Sequence, residues 1–295
     1  MLAGQGCQKV GMGSYLLGDP AAEQVFSIAS DVLGRDVRAV MGKSAQEELD
    51  RTANAQPALV ALELAEAHAL AARGIEPAAV LGFSLGQVAA LECAGMLSAE
   101  KVFEVVRVRG ELMDEAAAER PGAMLAVLRT TPEEAEALAE QAAGDDILVA
   151  ANYNGPQQTV LSGDVAAVER AEALAAERRI RTARLATSGA FHSPLMAGAA
   201  ERFREYLAGV EFGEPRVPLI ANDTAEPLAA ADARDALARH LTCPVRFTRS
   251  VEALVSAGAE TMVELGCGGV LQGLVRRIDP GLARTSAEAM LKEGE

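Results

Sequence analysis

The sequence has few of the residues that metal sites, disulfide frameworks and membrane spans require. Only four of its 295 residues are cysteines, and none are spaced as C-x-x-C, which argues against a zinc site and a disulfide framework and fits a reducing cytoplasm. Apolar runs of about 18 residues are missing, so we expect no membrane partner. The first residues also lack the pattern of a signal peptide. These features predict a cytoplasmic protein without a metal.

Positive charge is scarce as well. Lys and Arg together number 27 against 42 Asp and Glu, which gives a net charge of −15. Such an acidic balance disfavours nucleic acid as a partner. Half of the residues are hydrophobic, so the chain can bury a large core. Its length suits one large domain, or a large domain that carries a small insert.

The most informative motif is a serine between two glycines, "GFSLG", at residues 82–86. A short apolar run at residues 78–83 predicts a buried strand before the serine, and apolar residues at helical spacing follow it. Between a strand and a helix, Gly-x-Ser-x-Gly is the pattern of a nucleophile elbow, which would expose Ser84 at a helix N-terminus. The same pattern also fits a plain strand-to-helix turn that a serine caps.

Helical patterns alternate with short apolar runs along the chain, which is typical of an α/β fold with a mostly parallel sheet. Between residues 121 and 188 the predicted order is β-α-β-β-α-β, a ferredoxin-like arrangement. We therefore expect an inserted ferredoxin-like subdomain at 121–188. Residues 1–120 and 189–295 would form the large domain, which the elbow motif predicts to be α/β hydrolase-like.

Several element boundaries are predicted within the large domain. Residues 56–74 read as a helix with Pro57 in its first turn. Strands are expected at 217–222 and 261–266, with a last helix from about residue 269. Only three residues precede the glycine-rich loop "GQGCQ", fewer than the roughly five of a typical strand. The first strand is therefore expected to be stunted, or the chain to be truncated.

The chain has three histidines that could act as a base for the serine. His68 lies in an amphipathic helix and His240 at a helix end, where both suit structural roles. His192, in "TSGAFHSPLM", follows the last strand of the insert, at the joint between the two predicted parts. A histidine there can reach into a cleft as a general base, although the residues alone leave a structural role equally open.

An arginine and a glycine-rich loop complete the candidates. Arg109, in "VRVRG", precedes Gly110, which allows another group to approach the backbone closely, whereas Arg107 reads as a surface charge. The segment "GQGCQKVGMG" lacks the phosphate-loop patterns, so nucleotide binding is only weakly indicated. Its backbone N–H groups could instead help to form an oxyanion hole beside Ser84.

Together these segments resemble the malonyl-CoA:acyl-carrier-protein transacylases and the acyltransferase domains of polyketide synthases. The resemblance covers nearly the whole chain and rests on eight segments in the family's order: "GQGCQKVGMG", "QPALVALE", "GFSLGQ", "RGELM", "NYNGPQQTVLSG", "GAFHSPLM", "DALARHLTCPVRF" and "ELGCGGVLQGL". Each segment alone is a weak signal, but eight in order are specific.

The resemblance implies a catalytic role for several residues. Ser84 would be the acylated nucleophile and His192 its base, as a Ser–His pair without a carboxylate. A main-chain carbonyl near His240, where the family usually has Gln, would orient the imidazole. Backbone N–H groups of Gln5 and Leu85 would form the oxyanion hole.

The resemblance also implies how the substrate is selected. Arg109 resembles the arginine that binds the free malonyl carboxylate, and Asn152 and Asn154 match asparagines that line the same cleft. The residues "AFH" resemble the malonyl-selecting form of that segment. Two positions depart from the family pattern: Phe83 replaces its usual histidine, and Gln87 its usual glutamate.

The sequence thus predicts an enzyme that moves a malonyl group from malonyl-CoA to the phosphopantetheine thiol of an acyl carrier protein. The reaction would be ping-pong, through an acyl-serine, with no metal and no dissociable cofactor. An acyl-thioester hydrolase, with water as the acceptor, is one alternative. A non-catalytic scaffold that binds the carrier is another.

Overall fold

Short parallel strands form the sheet of the larger part of the chain. The structure is a computed structural model that describes residues 1–187 and 189–293. Strand β1 (Val80–Leu81) pairs with β6 (Leu219–Ile220), and β7 (Thr261–Glu264) pairs with β8 (Ala283–Ser286), both in parallel. Residue Leu2 forms parallel bridges to both Gly82 and Leu265, so it joins the two pairs.

The chain's first residues therefore take the place of a central strand. The Leu2 N–H donates to the Leu81 carbonyl at 2.9 Å, and the Ala3 N–H donates to Leu265 at 3.0 Å. The Leu2 carbonyl accepts from the Phe83 N–H at 2.9 Å on the same side as Leu81, and on the opposite side the Leu265 N–H donates to the Met1 carbonyl at 2.7 Å. Three residues are enough to span this sheet because its neighbours are equally short. The predicted strands at 78–83 and 217–222 extend over only two residues each.

Helices cover this sheet and form most of the main core. Their bounds are α1 (Pro20–Leu33), α2 (Val37–Lys43), α3 (Gln46–Asp50), α4 (Thr52–Ala71), α5 (Gly86–Cys93), α6 (Ala99–Glu119), α9 (Ala197–Leu207), α10 (Ala230–Arg239), α11 (Phe247–Ser256), α12 (Val270–Ile278) and α13 (Ala287–Glu293), and short 3₁₀ turns lie at Ser14–Leu16 and Pro194–Met196. Among the described residues, none of these helices is long and apolar enough to cross a membrane.

Helix α4 runs through the centre and corrects one prediction. It begins at Thr52, so Pro57 lies inside the helix and not in its first turn. Proline has no N–H, which leaves the carbonyl four residues earlier, at Ala53, without its helical donor. The Arg35 guanidinium donates to that carbonyl from Nη2 at 3.1 Å. A side chain from outside the helix thus satisfies the acceptor that the proline leaves free.

A second, antiparallel sheet lies in the middle of the chain. Its strands are β2 (Gly122–Leu128), β3 (Leu148–Gly155), β4 (Gln158–Asp164) and β5 (Arg181–Arg184), in the order β3-β4-β2-β5. Helices α7 (Pro132–Ala143) and α8 (Val165–Glu177) complete a β-α-β-β-α-β succession and cover a separate apolar core. The predicted boundary residue Ser188 lies outside the described residues, as do residues 294–295.

The two parts are joined by backbone hydrogen bonds at β3. The Tyr153 N–H donates to the Val245 carbonyl, and the Val245 N–H donates to Ala151, both at 2.8 Å. Because Val245 precedes α11 in the larger part, the antiparallel sheet is held against the segment between α10 and α11.

Two details differ from what the sequence predicts. An aspartate directly before a helical pattern predicts a side-chain cap, but Asp164, at the N-cap position of α8, makes no capping hydrogen bond. Its carboxylate accepts instead from Arg120 and from the Ile147 N–H. The prediction also ended with α12, whereas β8 and α13 follow it. Strand β8 is only four residues long and three of them are polar, so its periodicity is too weak to be recognised.

Candidate active site

The turn that carries Ser84 is so tight that both flanking glycines are required. A Cβ on Gly82 would lie 2.0 Å from the Gln87 nitrogen, and one on Gly86 would lie 2.3 Å from the Leu2 carbonyl oxygen. Ser84 itself has a φ of 51°, in the left-handed region that non-glycine residues rarely adopt. This strained geometry is typical of a nucleophile elbow between a strand and a helix.

Asn222, which follows β6, holds this turn in place. Its Oδ1 accepts from the Ser84 N–H at 2.8 Å, and its Nδ2 donates to the Gly82 carbonyl at 2.6 Å. Its own backbone N–H donates to the Gln87 side chain at 2.7 Å. One buried amide therefore bonds to both sides of the elbow, which offsets the cost of the left-handed serine.

The hydroxyl of Ser84 contacts His192. The distance from Ser84 Oγ to His192 Nε2 is 2.6 Å. On the other side of the ring, Nδ1 lies 2.8 Å from the His240 carbonyl and 3.2 Å from the Cys243 carbonyl. Carbonyls only accept, so the proton must be on Nδ1, and Nε2 then presents its lone pair to the serine. This tautomer allows His192 to take the serine proton.

The charge state of His192 suits the same role. Burial, together with the nearby positive charge of Arg109, lowers the pKa of His192 to about 4, although the two carbonyls on Nδ1 favour the charged form. The ring is therefore neutral at pH 7 and available as a base. No carboxylate touches it in the described part of the chain, so the pair consists of a serine and a histidine alone.

His240 supports the pair through its backbone and its ring. Its Nε2–H donates to Asn222 Oδ1 at 3.1 Å, while Nδ1 is buried without a hydrogen-bond partner among the described residues. Burial, followed by the proximity of His192 and Arg109, holds the pKa of His240 well below its usual value. A neutral His240 can therefore stand where the family usually has Gln.

Arg109 lies on α6 and is fully buried, with 1% of its surface exposed. Its Nη1 donates to Gln56 Oε1 at 2.8 Å, whereas Nη2 is buried without a hydrogen-bond partner in the described residues. Burial lowers the pKa of Arg109 to about 10, so the guanidinium stays charged at pH 7. A buried cation with a free donor is suited to bind a carboxylate.

Gly110 explains how Arg109 reaches this position. A Cβ on Gly110 would lie 3.4 Å from both Ala53 Cα and the Thr52 carbonyl oxygen, so α6 packs closely on the first turn of α4. Arg107, two residues earlier, has a side chain that is 43% exposed and pairs with Glu111 at 3.3 Å, which fits the predicted surface role.

The glycine-rich loop lies against the elbow and is linked to Arg109. A Cβ on Gly4 would lie 2.7 Å from the ring of Phe83. The Gln5 side chain donates to Thr52 at 3.2 Å and accepts from Gln56, the partner of Arg109, at 3.5 Å. Among the described residues, the backbone N–H of Gln5 makes no hydrogen bond, and neither does that of Leu85. Both groups are therefore free to bind an oxyanion.

The two asparagines lie on β3, and both are buried. Neither Asn152 nor Asn154 hydrogen-bonds to the serine–histidine pair within the described residues, and Asn154 Oδ1 is buried without any partner there. Asn152 forms a parallel bridge to Val245, two residues after the carbonyl of Cys243 that accepts from His192. The structure thus places β3 beside the segment that orients the base.

Phe83 and Gln87, the two residues predicted to depart from the pattern of the resembled family, contact different groups. The ring of Phe83 is partly buried and meets that of Phe247 edge to face, with centroids 5.3 Å apart, so it packs against the apolar cluster that contains Phe247. Gln87 is fully buried, and its Oε1 accepts from the Asn222 N–H. Gln87 therefore supports the elbow through Asn222, and Phe83 packs between Phe247 and the glycine-rich loop.

The sequence reasoning missed Asn222 and Gln56. Both are polar residues at buried positions, and both contact a predicted site residue. Asn222 closes the predicted strand at 217–222, and polar residues at the carboxyl ends of parallel strands often line sites. Gln56 stands at the start of the "QPALVALE" segment. His68, in contrast, pairs with Glu92 at 2.9 Å, as its predicted structural role suggested.

Fold and site together define an α/β protein with a serine–histidine pair arranged for acyl chemistry. Residues 1–280 match the family described as "Acyl transferase domain". The chain belongs to this acyltransferase family, so the predicted resemblance is confirmed. The malonyl CoA-acyl carrier protein transacylase of Bacillus subtilis (strain 168) is 38% identical over 283 residues, which are 95% of this chain and 89% of that protein.

Two solved structures are similar over almost their whole length. The malonyl-CoA:acyl carrier protein transacylase of Xanthomonas oryzae pv. oryzae has a TM-score of 0.94 and 38% identity, and the match covers 99% of this chain and 96% of that one. A malonyl-transacylase solved in complex with its type II PKS acyl-carrier protein also has a TM-score of 0.94, with 35% identity and coverage of 100% and 98%.

Proposed function

We propose that this protein transfers a malonyl group from malonyl-CoA to the phosphopantetheine thiol of an acyl carrier protein. The observation that carries the proposal is the 2.6 Å contact between Ser84 Oγ and His192 Nε2, in a site that also holds the buried and incompletely paired Arg109. The serine–histidine pair supplies acyl transfer, and the arginine supplies preference for an acyl group with a free carboxylate. The similarity to transacylases with this activity supports both points.

In the first half-reaction, Ser84 Oγ attacks the thioester carbonyl while His192 Nε2 takes its proton. The backbone N–H groups of Gln5 and Leu85 hold the negative oxygen of the tetrahedral intermediate. The C–S bond then breaks, the proton on Nε2 passes to the coenzyme A sulfur, and malonyl-serine remains. Throughout, the His240 carbonyl accepts from Nδ1 and stabilises the imidazolium that forms.

In the second half-reaction, the carrier thiol takes the place of coenzyme A. It gives its proton to His192 and attacks the malonyl-serine ester, and the proton returns to Ser84 Oγ. Arg109 would hold the malonyl carboxylate with its free Nη2 through both halves. Asn152 and Asn154 would line the same cleft from β3, where the unpaired Asn154 Oδ1 offers an acceptor to the substrate.

We also propose a division of the chain that fits this chemistry. Residues 1–120 and 189–295 would form an α/β hydrolase-like large domain, supported by the elbow on a short parallel sheet. Residues 121–188 would form a ferredoxin-like subdomain, supported by the strand order β3-β4-β2-β5. The substrate would bind where β3 meets the large domain. A cytoplasmic location stays a prediction.

The test is to follow labelled malonyl groups. Wild type and Ser84→Ala are incubated with radiolabelled malonyl-CoA, and the mass of the intact protein and its label are measured before and after a holo acyl carrier protein is added. We expect one malonyl group on wild type, which moves to the carrier, and none on Ser84→Ala, whose circular dichroism spectrum should be unchanged.

Other outcomes would favour the alternatives. Label released as free malonate at the same rate with and without carrier would indicate a thioester hydrolase. No label on wild type would indicate a carrier-binding scaffold. Stable label on Ser84→Ala would show that another residue is the nucleophile.

A further inference from the structure

Two cysteines that are 260 positions apart in sequence meet beside the glycine-rich loop. Cys7 Sγ and Cys267 Sγ are 3.1 Å apart, and the Cys267 thiol also lies 2.7 Å from the Cys7 carbonyl oxygen. Both are free thiols. Cys7 belongs to the loop that carries Gln5, and Cys267 follows β7. The pair thus joins the first and the last parts of the chain at one point of the fold.

We propose that Cys7 and Cys267 form a reversible disulfide in the folded protein, and that low-molecular-weight disulfides of the glutathione type are its oxidant. The sulfurs must approach by about 1 Å to reach a disulfide bond length of about 2.05 Å. The proposal concerns the scaffold and not the acyl chemistry, so it does not depend on the function proposed above.

The backbone around both residues is suited to this movement. Gly6 precedes Cys7 with a φ of 108°, while Gly266 and Gly268 flank Cys267 with φ values of 103° and 96°. A Cβ on Gly268 would lie only 3.6 Å from the Cys7 Cβ, which shows how closely the two loops approach. Glycines on both sides allow the small backbone rotations that a closing disulfide requires.

The two thiols have different environments, and this difference sets the order in which they react. Cys7 is partly exposed, whereas Cys267 is buried, with 6% of its surface exposed. The hydrogen bond from Cys267 lowers the pKa of Cys7 despite its burial, and the same contact together with burial raises the pKa of Cys267. The thiolate is the nucleophile in thiol–disulfide exchange, so Cys7 attacks first and Cys267 second.

The exchange balances without any further reactant. The Cys7 thiolate attacks one sulfur of the small disulfide, which releases one small thiolate and leaves a mixed disulfide on Cys7. Cys267 then loses its proton and attacks Cys7 Sγ, which releases the second small thiol. Two protein thiols are oxidised, and one small disulfide is reduced to two thiols.

The experiment maps the thiols after oxidation. Reduced protein is incubated with oxidised glutathione, free thiols are alkylated, and peptides are identified by mass spectrometry. We expect a cross-link between the Cys7 and Cys267 peptides in most molecules, reversed by dithiothreitol. Cys267→Ser should stop at glutathione on Cys7. The matched control variants Cys93→Ser and Cys243→Ser should form the cross-link as wild type does.

A thermal readout accompanies the mapping. A cross-link that closes so long a loop should raise the midpoint of thermal unfolding by at least several degrees, in wild type and not in Cys7→Ser. Three results would overturn the proposal: alkylation of both cysteines after oxidation of wild type, glutathione that persists on Cys7 while Cys267 is present, or a cross-link that lowers the unfolding midpoint.

Discussion

Replacing Arg109 by methionine should separate the stability of the protein from its choice of substrate. Methionine has a comparable unbranched shape but no charge, so the main change is the loss of a buried cation. Among the described residues, that cation has a single hydrogen-bond partner, Gln56, at 2.8 Å from Nη1. Burial lowers the pKa of Arg109 to about 10, which corresponds to a penalty of about 3 kcal/mol for burying the charge.

Two opposing terms set the effect of Arg109→Met on stability. The substitution removes the burial penalty, and it also removes one hydrogen bond to a charged group, worth about 1.5–3 kcal/mol. These terms nearly cancel, so the free energy of unfolding should stay the same or rise slightly. Chemical denaturation with the midpoint followed by circular dichroism measures this difference.

The effect on malonyl transfer should be large. Truncating one partner of a buried, hydrogen-bonded charge pair costs about 2–5 kcal/mol, which is a fall of about 30- to 5,000-fold in kcat/KM. Acetyl transfer lacks the carboxylate and should change little or improve. The assay compares carrier acylation from malonyl-CoA and from acetyl-CoA in wild type, Arg109→Met and the matched control Arg107→Met.

The control variant tests whether position matters more than charge. Arg107 lies on the same helix, is partly exposed and pairs with Glu111, so Arg107→Met should leave both activities within about twofold, as is usual for surface changes. Equal losses of malonyl and acetyl transfer in Arg109→Met, with a large drop in stability, would show that Arg109 is structural and would refute the reasoning.

Three further predictions concern the base, the elbow and the surface. Because the pKa of His192 is about 4, the acylation rate should hold constant from pH 7 to 5 and fall only towards pH 4. The pKa of a histidine in the unfolded chain is about 6.5, so the unfolded chain binds more protons than the folded protein between pH 6.5 and about 4, and the free energy of unfolding should decrease as the pH falls through that range. A fall in the acylation rate already near pH 6.5 would contradict His192 as the base. Phe83→His should change kcat/KM by less than about a hundredfold, roughly 2.7 kcal/mol, because the proposed oxyanion donors are backbone groups and the Phe83 ring packs against Phe247. An inactive wild type that gains activity from this change would show that the chain is a lapsed enzyme. Arg178 and Arg181 line a cavity of about 480 Å³ beside the antiparallel sheet. If this basic surface attracts an acidic carrier, transfer to the carrier should slow at high salt and on charge reversal of both residues. A transfer rate that changes with neither would show that this surface does not bind the carrier.

Local sequence was enough to predict the elbow and most helices. Two glycines around Ser84 are informative because the turn leaves no space for a Cβ, and this constraint is visible within five residues. Helix α6 (Ala99–Glu119) likewise has local signals, since Ser98 caps it and its apolar residues repeat at helical spacing. Such features depend only on residues that are close in sequence, so they can be recognised from the sequence alone.

The rest depends on residues that are distant in sequence. Asn222 bonds to Ser84 across 138 positions, and Cys7 meets Cys267 across 260, so no local pattern predicts either contact. The early start of α4 was missed for a related reason. Pro57 indicates a first turn locally, but the carbonyl that it leaves free is satisfied by Arg35, from the turn between α1 and α2.

The buried Arg109 also affects the base that shares its site. In the free protein its positive charge is one of the causes of the low pKa of His192, so it makes the imidazolium unfavourable. A malonyl carboxylate bound to Arg109 would offset that charge, and the imidazolium that forms when Ser84 attacks would then cost less. The guanidinium would thus contribute twice, once by binding the carboxylate and once by making proton transfer easier only when a carboxylate is present. An acetyl group would provide neither effect, so a site with an incompletely paired buried arginine would favour a carboxylated acyl group in rate as well as in binding.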